Sequence, residues 1–130
     1  MAKYKSVLLV DDNDVDNMIH SEVIEDAEFA TRIYVKVDGA EALQFMEESI
    51  PDQEGYFPPS IIFLDINMPR MNGFEFLDAY RTLPKEKKST TIVIMLTTSL
   101  HSEDLARVEA SGIVSTYIEK PLTTEHLARL

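Results

Sequence analysis

Five short apolar runs, separated by segments whose apolar residues recur at helical spacing, are the feature of this sequence that most limits its fold. The runs occupy residues 6–10, 31–37, 61–64, 92–96 and 113–118. Short apolar runs bounded by polar residues are typical of strands, and helical spacing between them predicts helices. Strands that alternate with helices favour a parallel sheet with right-handed crossovers and helices on both faces. The sequence therefore predicts a doubly wound α/β fold built from five strand-helix units.

The apolar runs differ in pattern, and the difference predicts where each strand lies in the sheet. Residues 31–37 alternate apolar and polar side chains, which is expected for a half-exposed edge strand. The first, third and fourth runs are continuously apolar and predict central strands that are covered on both faces. Gly112 suits the left-handed end of a fourth helix, and Thr123 is the predicted N-cap of a last helix that is short or truncated. A polar segment at 49–59 predicts a long loop, and the charged residues 85–88 predict a solvated one.

Length and charge limit the classes of protein to which the chain belongs. Its 130 residues suit one domain, so residues 1–130 are predicted to form a single unit. A net charge of -11 would repel the phosphates of DNA and RNA, which argues against direct nucleic-acid binding. The absence of cysteine excludes disulfides and thiolate metal sites. No apolar run reaches membrane-spanning length and no signal peptide is evident, so we expect a cytoplasmic protein that does not contact a membrane.

Acidic residues follow two of the predicted central strands. Asp11 and Asp12 come directly after the first strand, and Asp65 follows the third. Because ligands of open α/β sheets bind at the carboxyl ends of the strands, we expect these carboxylates to lie close together. Clustered carboxylates repel one another unless a cation or a proton offsets their charge. Mg²⁺ prefers carboxylate oxygen and is often completed by a phosphate, so the sequence predicts a magnesium site at this edge.

Two hydrogen-bond donors end the remaining strands on the same edge of the sheet. Thr97 ends the fourth strand and Lys120 follows the fifth. A hydroxyl and an ammonium group add little to a metal site, but both are suited to the oxygens of a phosphoryl group. Asp65 would then be a carboxylate nucleophile that forms an aspartyl phosphate, with Mg²⁺ offsetting charge during the transfer.

Five short motifs, taken together, resemble the receiver domains of response regulators. They lie at residues 10–13, 64–69, 72–73, 96–97 and 117–121, and they read VDDN, LDINMP, NG, LT and YIEKP. The resemblance spans nearly the whole chain. It implies the flavodoxin-like strand order 2-1-3-4-5.

The resemblance also implies a role for each matching residue. Asp65 is the expected phospho-acceptor, and Thr97 and Lys120 are expected to contact the phosphoryl oxygens. Asp12 is expected to bind Mg²⁺ directly, Asp11 largely through water, Asp65 through its carboxylate and Asn67 through its backbone carbonyl. Movement of Thr97 is expected to be coupled to rotation of Tyr117, which would alter the face made by the fourth helix, the fifth strand and the fifth helix.

The same resemblance implies a regulatory protein whose only chemistry is its own phosphotransfer and autodephosphorylation. The expected partners are a sensor histidine kinase or a histidine phosphotransfer protein, and then a downstream output protein or a second copy of the chain. Two alternatives remain open. A small haloacid-dehalogenase-like phosphatase would use Asp12 as its nucleophile. An interaction domain that functions without phosphorylation is suggested by Thr98 and by the long loop at 49–59. His20, His101 and His126 show no ligand-like spacing and are assigned no function.

Overall fold

The apolar runs form a five-stranded parallel sheet. The strands are β1 (Tyr4–Val10), β2 (Ala30–Lys36), β3 (Ile61–Leu64), β4 (Ile92–Thr97) and β5 (Val114–Glu119). In the computed structural model, which describes residues 2–49, 58–88, 90–98 and 101–130, their order is β2-β1-β3-β4-β5. All four neighbouring pairs are parallel. The strand order and the α/β class expected from the sequence are therefore confirmed.

Helices follow the strands, and their ends carry the residues that helix ends require. The helices are α1 (Asp14–Asp26), α2 (Gly39–Glu48), α3 (Gly73–Tyr80), α4 (Ser102–Ser111) and α5 (Thr124–Ala128). The N-caps of α1, α2, α3 and α5 each accept a hydrogen bond from the N–H three residues later. Thr123 is one of these caps, as predicted. Gly112 ends α4 at φ 68, which is the predicted left-handed conformation.

The sheet is covered on both faces by two separate apolar clusters. Along β1, Leu8 and Val10 face a cluster that α2, α3 and α4 complete, while Val7 and Leu9 face a cluster with α1 and α5. This alternation places successive side chains of one strand on opposite faces. The residues of β3 are all buried, whereas β2 is half-exposed along its length. The predictions of central and edge strands are confirmed.

Three further sequence expectations concern connections and helix length. The charged residues 85–88 include a short 3-10 turn, Lys85–Lys87, within the predicted solvated loop. The predicted loop at 49–59 falls largely on residues 50–57, which lie outside the described residues. The last described helix, α5, is five residues long. Among the described residues, none of the helices combines the length and the apolar character needed to cross a membrane.

Candidate functional site

Three carboxylates meet where β1 and β3 end. The N–H of Asp65 donates to the carbonyl of Val10 at 3.0 Å, which holds the ends of the two strands together. One carboxylate oxygen from each of Asp11, Asp12 and Asp65 lies within 4.8 Å of the others. Asp11 and Asp65 are buried, whereas Asp12 is exposed. The acidic residues that were predicted to converge therefore lie together. Because Asp12 is exposed, solvent can reach this cluster of carboxylates.

The start of α3 packs directly on the backbone of Asp65. The N–H of Gly73 donates to the carbonyl of Ile66 at 2.8 Å. A Cβ atom at position 73 would overlap the carbonyl oxygen of Asp65 and press on the Cα atom of Ile66. Because only glycine lacks that atom, Gly73 permits the close approach of helix and strand end. The start of α3 thus packs against the backbone of Asp65 and helps to fix its position.

The loop between β3 and α3 is attached to the start of α2. Arg70, with φ 64, forms an ion pair with the fully buried carboxylate of Asp38, and the N–H of Gly39 donates to the carbonyl of Met71 at 3.0 Å. Burial would raise the pKa of Asp38, but hydrogen bonds from the Glu41 N–H and from Arg70 outweigh it and hold that pKa below its ordinary value. These contacts orient the loop that carries the predicted metal ligand, Asn67, which is exposed.

Lys120 reaches into the carboxylate group from the end of β5. Its Nζ atom lies 2.5 Å from Oδ2 of Asp11, 3.0 Å from Oδ2 of Asp16 and 3.8 Å from Oδ1 of Asp65. Its side chain is only 8% exposed. The N–H of Lys120 donates to the carbonyl of Thr97 at 2.7 Å, which fixes the lysine backbone beside the end of β4. The ammonium group therefore lies on the same rim of the sheet as Asp65.

The electrostatics of the site oppose ionisation of Asp65. Burial raises the pKa of Asp65 to about 6, and the negative charge of Asp11 adds to the increase, while the positive charge of Lys120 opposes it. For Lys120, burial would lower the pKa, but hydrogen bonds to Asp11 and Asp16 outweigh that effect and raise it. The lysine is therefore protonated at neutral pH. The carboxylates carry more negative charge than one ammonium group offsets.

Thr97 and Tyr117 occupy neighbouring strands near the site. Thr97 is the last residue of β4 and is 1% exposed, and its Oγ1 atom has no hydrogen-bond partner within the described part of the chain. A buried hydroxyl without a partner is costly, so this atom is suited to an incoming acceptor. Tyr117 pairs with Met95 in the β4–β5 ladder and is 46% exposed. It lies two positions before Glu119, which pairs with Thr97.

Asp16 and His20 contribute to this region although neither was among the predicted site residues. Asp16 contacts Lys120 from the first turn of α1. His20, one turn further along, is 1% exposed, and it lines a small cleft together with Asn17, Asp11 and Asp65. Burial and the charge of Lys120 lower the pKa of His20. The spacing of Asp16 from the acidic pair was visible in the sequence, but nothing local indicated that it faces a lysine about a hundred residues away.

Comparison with known proteins points to one family. Residues 7–130 match the response regulator receiver domain. The probable methanogenesis regulatory protein FilR2 of Methanothrix harundinacea is 32% identical over 123 residues, which are 95% of this chain and 76% of FilR2. A two-component response regulator structure from Cytophaga hutchinsonii has a TM-score of 0.85 and 35% identity, covering 98% of this chain and 93% of that one. The structure of the chemotaxis response regulator CheY4 of Vibrio cholerae has a TM-score of 0.75 and 29% identity, and the match covers 98% of this chain and 95% of that one.

Proposed function

This chain belongs to the response regulator receiver domain family, and from that premise we propose that Asp65 is its phospho-acceptor and that Mg²⁺ supports the transfer. Receiver domains are regulatory phospho-acceptors of two-component signalling rather than enzymes that turn over a substrate. The phosphoryl donor in this proposal is a sensor histidine kinase or a histidine phosphotransfer protein. Residues 1–130 form the receiver unit, and its location is cytoplasmic.

The observation that carries the proposal is the position of Asp65 between other carboxylates and one buried ammonium group. Its Oδ1 atom is 3.8 Å from Nζ of Lys120. With its pKa raised to about 6, the carboxyl group of Asp65 is mostly ionised at neutral pH and is available as a nucleophile. A phosphoryl group on that oxygen would lie within reach of the Lys120 ammonium group.

In the proposed reaction, a carboxylate oxygen of Asp65 attacks the phosphorus atom of a phosphohistidine. The new bond is O–P and the bond that breaks is N–P, so the imidazole nitrogen leaves with the electron pair and takes up a proton from water. Lys120 donates to one phosphoryl oxygen and the Thr97 hydroxyl donates to another. The Thr97 hydroxyl is suited to this role because it is buried and lacks a hydrogen-bond partner among the described residues.

The donor set fits Mg²⁺. Carboxylate oxygens of Asp11, Asp12 and Asp65 lie within 4.8 Å of one another, and these are the hard ligands that Mg²⁺ prefers. Asp12, being exposed, is the proposed direct ligand, Asp11 the ligand largely through water, and Asn67 a ligand through its backbone carbonyl. When bound, Mg²⁺ would offset the charge that develops on the transferring phosphoryl group.

We extend the proposal to the response that follows phosphorylation. When the Thr97 hydroxyl turns toward the phosphoryl group, the space on its other side becomes available to Tyr117 on the adjacent strand. Because Tyr117 is half-exposed, a change in its rotamer changes the surface formed by α4, β5 and α5. An output protein or a second copy of the chain would recognise that surface. The exposed apolar residues Val15 and Met18 of α1 are the proposed docking face for the phosphoryl donor.

A direct test uses a small phosphodonor, so that no kinase has to be identified. Incubation with acetyl phosphate and Mg²⁺ is expected to add one phosphoryl group to the intact protein, as measured by mass spectrometry. Asp65→Asn should abolish the modification, whereas Asp78→Asn, which removes an exposed carboxylate on α3, should leave it unchanged. Chelation of Mg²⁺ should also prevent labelling. Normal labelling of the Asp65→Asn protein would disprove the assignment.

The two alternative functions are weaker. A haloacid-dehalogenase-like phosphatase with Asp12 as nucleophile is wrong at the level of family, because the chain is a receiver domain. The interaction domain without phosphorylation rested on Thr98, which is exposed, and on the loop at 49–59, most of which lies outside the described residues. The acetyl phosphate experiment decides this second case, because a domain of that kind would take up no phosphoryl group.

A further inference from the structure

We propose that Asp16 is a positioning residue that holds Lys120 while Asp11 binds a divalent cation. The inference rests on the proposed function, because it concerns how Lys120 and Asp11 share their partners at the same site. Asp16 was absent from the residues predicted by motif, and it acts through Lys120 rather than on the phosphoryl group itself.

Two of the three ammonium hydrogens of Lys120 are already committed. They are donated to Asp11 at 2.5 Å and to Asp16 at 3.0 Å. The distance of 3.8 Å to Asp65 is an ion pair but exceeds a hydrogen bond. The third hydrogen is therefore the one left for a phosphoryl oxygen on Asp65.

Asp11 has no carboxylate oxygen that lacks a donor. Its Oδ1 atom accepts from the N–H of Asn13 at 3.0 Å, and its Oδ2 atom accepts from Lys120. Each oxygen could still accept a second partner, but a divalent cation held at Asp11, directly or through water, would repel the Lys120 ammonium group that lies 2.5 Å from Oδ2. The Asn13 N–H is a neutral backbone donor at the N-cap of α1, so the bond to the charged Lys120 is the one that the cation would weaken.

A lysine that loses Asp11 still needs an anionic partner because its side chain is only 8% exposed. Asp16 is suited to this task because it lies outside the group of carboxylates that could hold the cation, as far as the described residues extend. Its own N–H is bonded to the Asn13 side chain at 3.0 Å, which fixes its place on the first turn of α1. Its side chain is 29% exposed, so keeping its charge costs less than it would in the interior.

Without the Asp16 charge, Lys120 would depend on Asp11 and Asp65. These are two of the carboxylates that the cation needs, so the lysine would compete with the cation for them. The expected consequence is weaker Mg²⁺ binding, even though the three carboxylates of the cation site are intact.

The test compares Mg²⁺ dissociation constants of the full chain by calorimetric titration. Asp16→Asn should bind Mg²⁺ about fivefold more weakly than the control Asp14→Asn, a size in keeping with one partly exposed charged hydrogen bond. Asp14 is an exposed carboxylate in the same helical turn, so its replacement removes an equal charge at a similar place. Asp16→Ala should weaken binding further, because alanine offers Lys120 no acceptor. Matching thermal unfolding of the variants would show that each is folded.

A second measurement separates positioning from a general effect of charge. In a Lys120→Met background there is no lysine to hold, so Asp16→Asn and Asp14→Asn should then alter Mg²⁺ binding equally. A structure of the protein with beryllofluoride and Mg²⁺ should keep Nζ of Lys120 within hydrogen-bond distance of Asp16.

Three results would overturn the inference: equal Mg²⁺ affinity of the Asp16→Asn and Asp14→Asn proteins, an Asp16 effect that persists without Lys120, or separation of Lys120 from Asp16 in the beryllofluoride structure. If the unmodified chain bound no Mg²⁺, both this inference and the proposed function would fail. If it bound Mg²⁺ and was phosphorylated, only the role of Asp16 would be at issue.

Discussion

Replacing Asp65 by asparagine is expected to stabilise the folded protein, and more so at pH 8 than at pH 5. The side chain is buried beside Asp11, so its ionised form lacks hydration and faces a like charge. Asparagine has nearly the same shape and carries no charge. The variant should therefore relieve a cost that the folded chain bears for keeping a nucleophilic carboxylate at this position.

The size of the effect follows from the pKa of Asp65, which burial and Asp11 raise from 3.8 to about 6. Because the folded-state pKa exceeds the unfolded one, the folded state binds more protons between these values, and stability falls as the pH rises through about 6. A difference of about two pH units corresponds to about 3 kcal/mol, which is the expected advantage of asparagine at pH 8. By the same linkage, protonation of Asp65 recovers about 1.4 kcal/mol at pH 5, so the advantage falls to about 1.5 kcal/mol.

Urea unfolding followed by circular dichroism at pH 5 and pH 8, without Mg²⁺, would measure this difference. The control is Asp78→Asn, since that substitution removes an exposed carboxylate on α3 and should change stability only slightly. Adding Mg²⁺ should stabilise the unmodified protein more than the variant, because a ligand stabilises the state that binds it. An unmodified protein that is the more stable of the two at pH 8, or a difference equal at both pH values, would refute the electrostatic account of Asp65.

Two further substitutions test the packing around the site. Gly73→Ala should destabilise the fold by about 1–3 kcal/mol in thermal unfolding, because its Cβ atom would overlap the backbone carbonyl of Asp65; full stability would contradict the close approach. Burial and the charge of Lys120 lower the pKa of His20 below 6.5, so its contribution to stability is present above pH 6.5 and is lost as the pH falls below it. His20→Leu should therefore gain stability relative to the unmodified protein between pH 7.5 and pH 5.5 in urea unfolding. The matched substitution at an exposed histidine, His101→Leu, should give no such gain in stability. A gain of equal size in that variant would argue against burial as the cause of the His20 effect.

The sheet could be predicted because its evidence is local. Alternation along 31–37 and continuous apolar runs elsewhere distinguish a half-exposed edge strand from buried central ones, since side chains in a strand alternate between faces. The positions of Gly112 and Thr123 at helix ends were readable for the same reason, as each depends on the conformation of a few neighbouring residues. The strand order came instead from resemblance to a family, because many orders are compatible with the same five runs.

The convergence of Asp11, Asp65 and Lys120 could also be predicted, because parallel strands bring their carboxyl ends to one edge. The hydrogen-bond acceptors of the Lys120 ammonium group could not be predicted. The residue lies 104 positions after Asp16, and their contact depends on how α1 packs against the end of β5.

The sequence by itself determined the α/β class, the central strands and the set of polar residues at the strand ends, because each follows from side-chain periodicity or from position relative to a strand. Only the tertiary structure decided how charge is shared among those residues. The pKa of Asp65 and the two hydrogen-bond acceptors of Lys120 depend on distances of a few ångströms between segments far apart in the chain. Electrostatic energy varies steeply over such distances when the groups are buried.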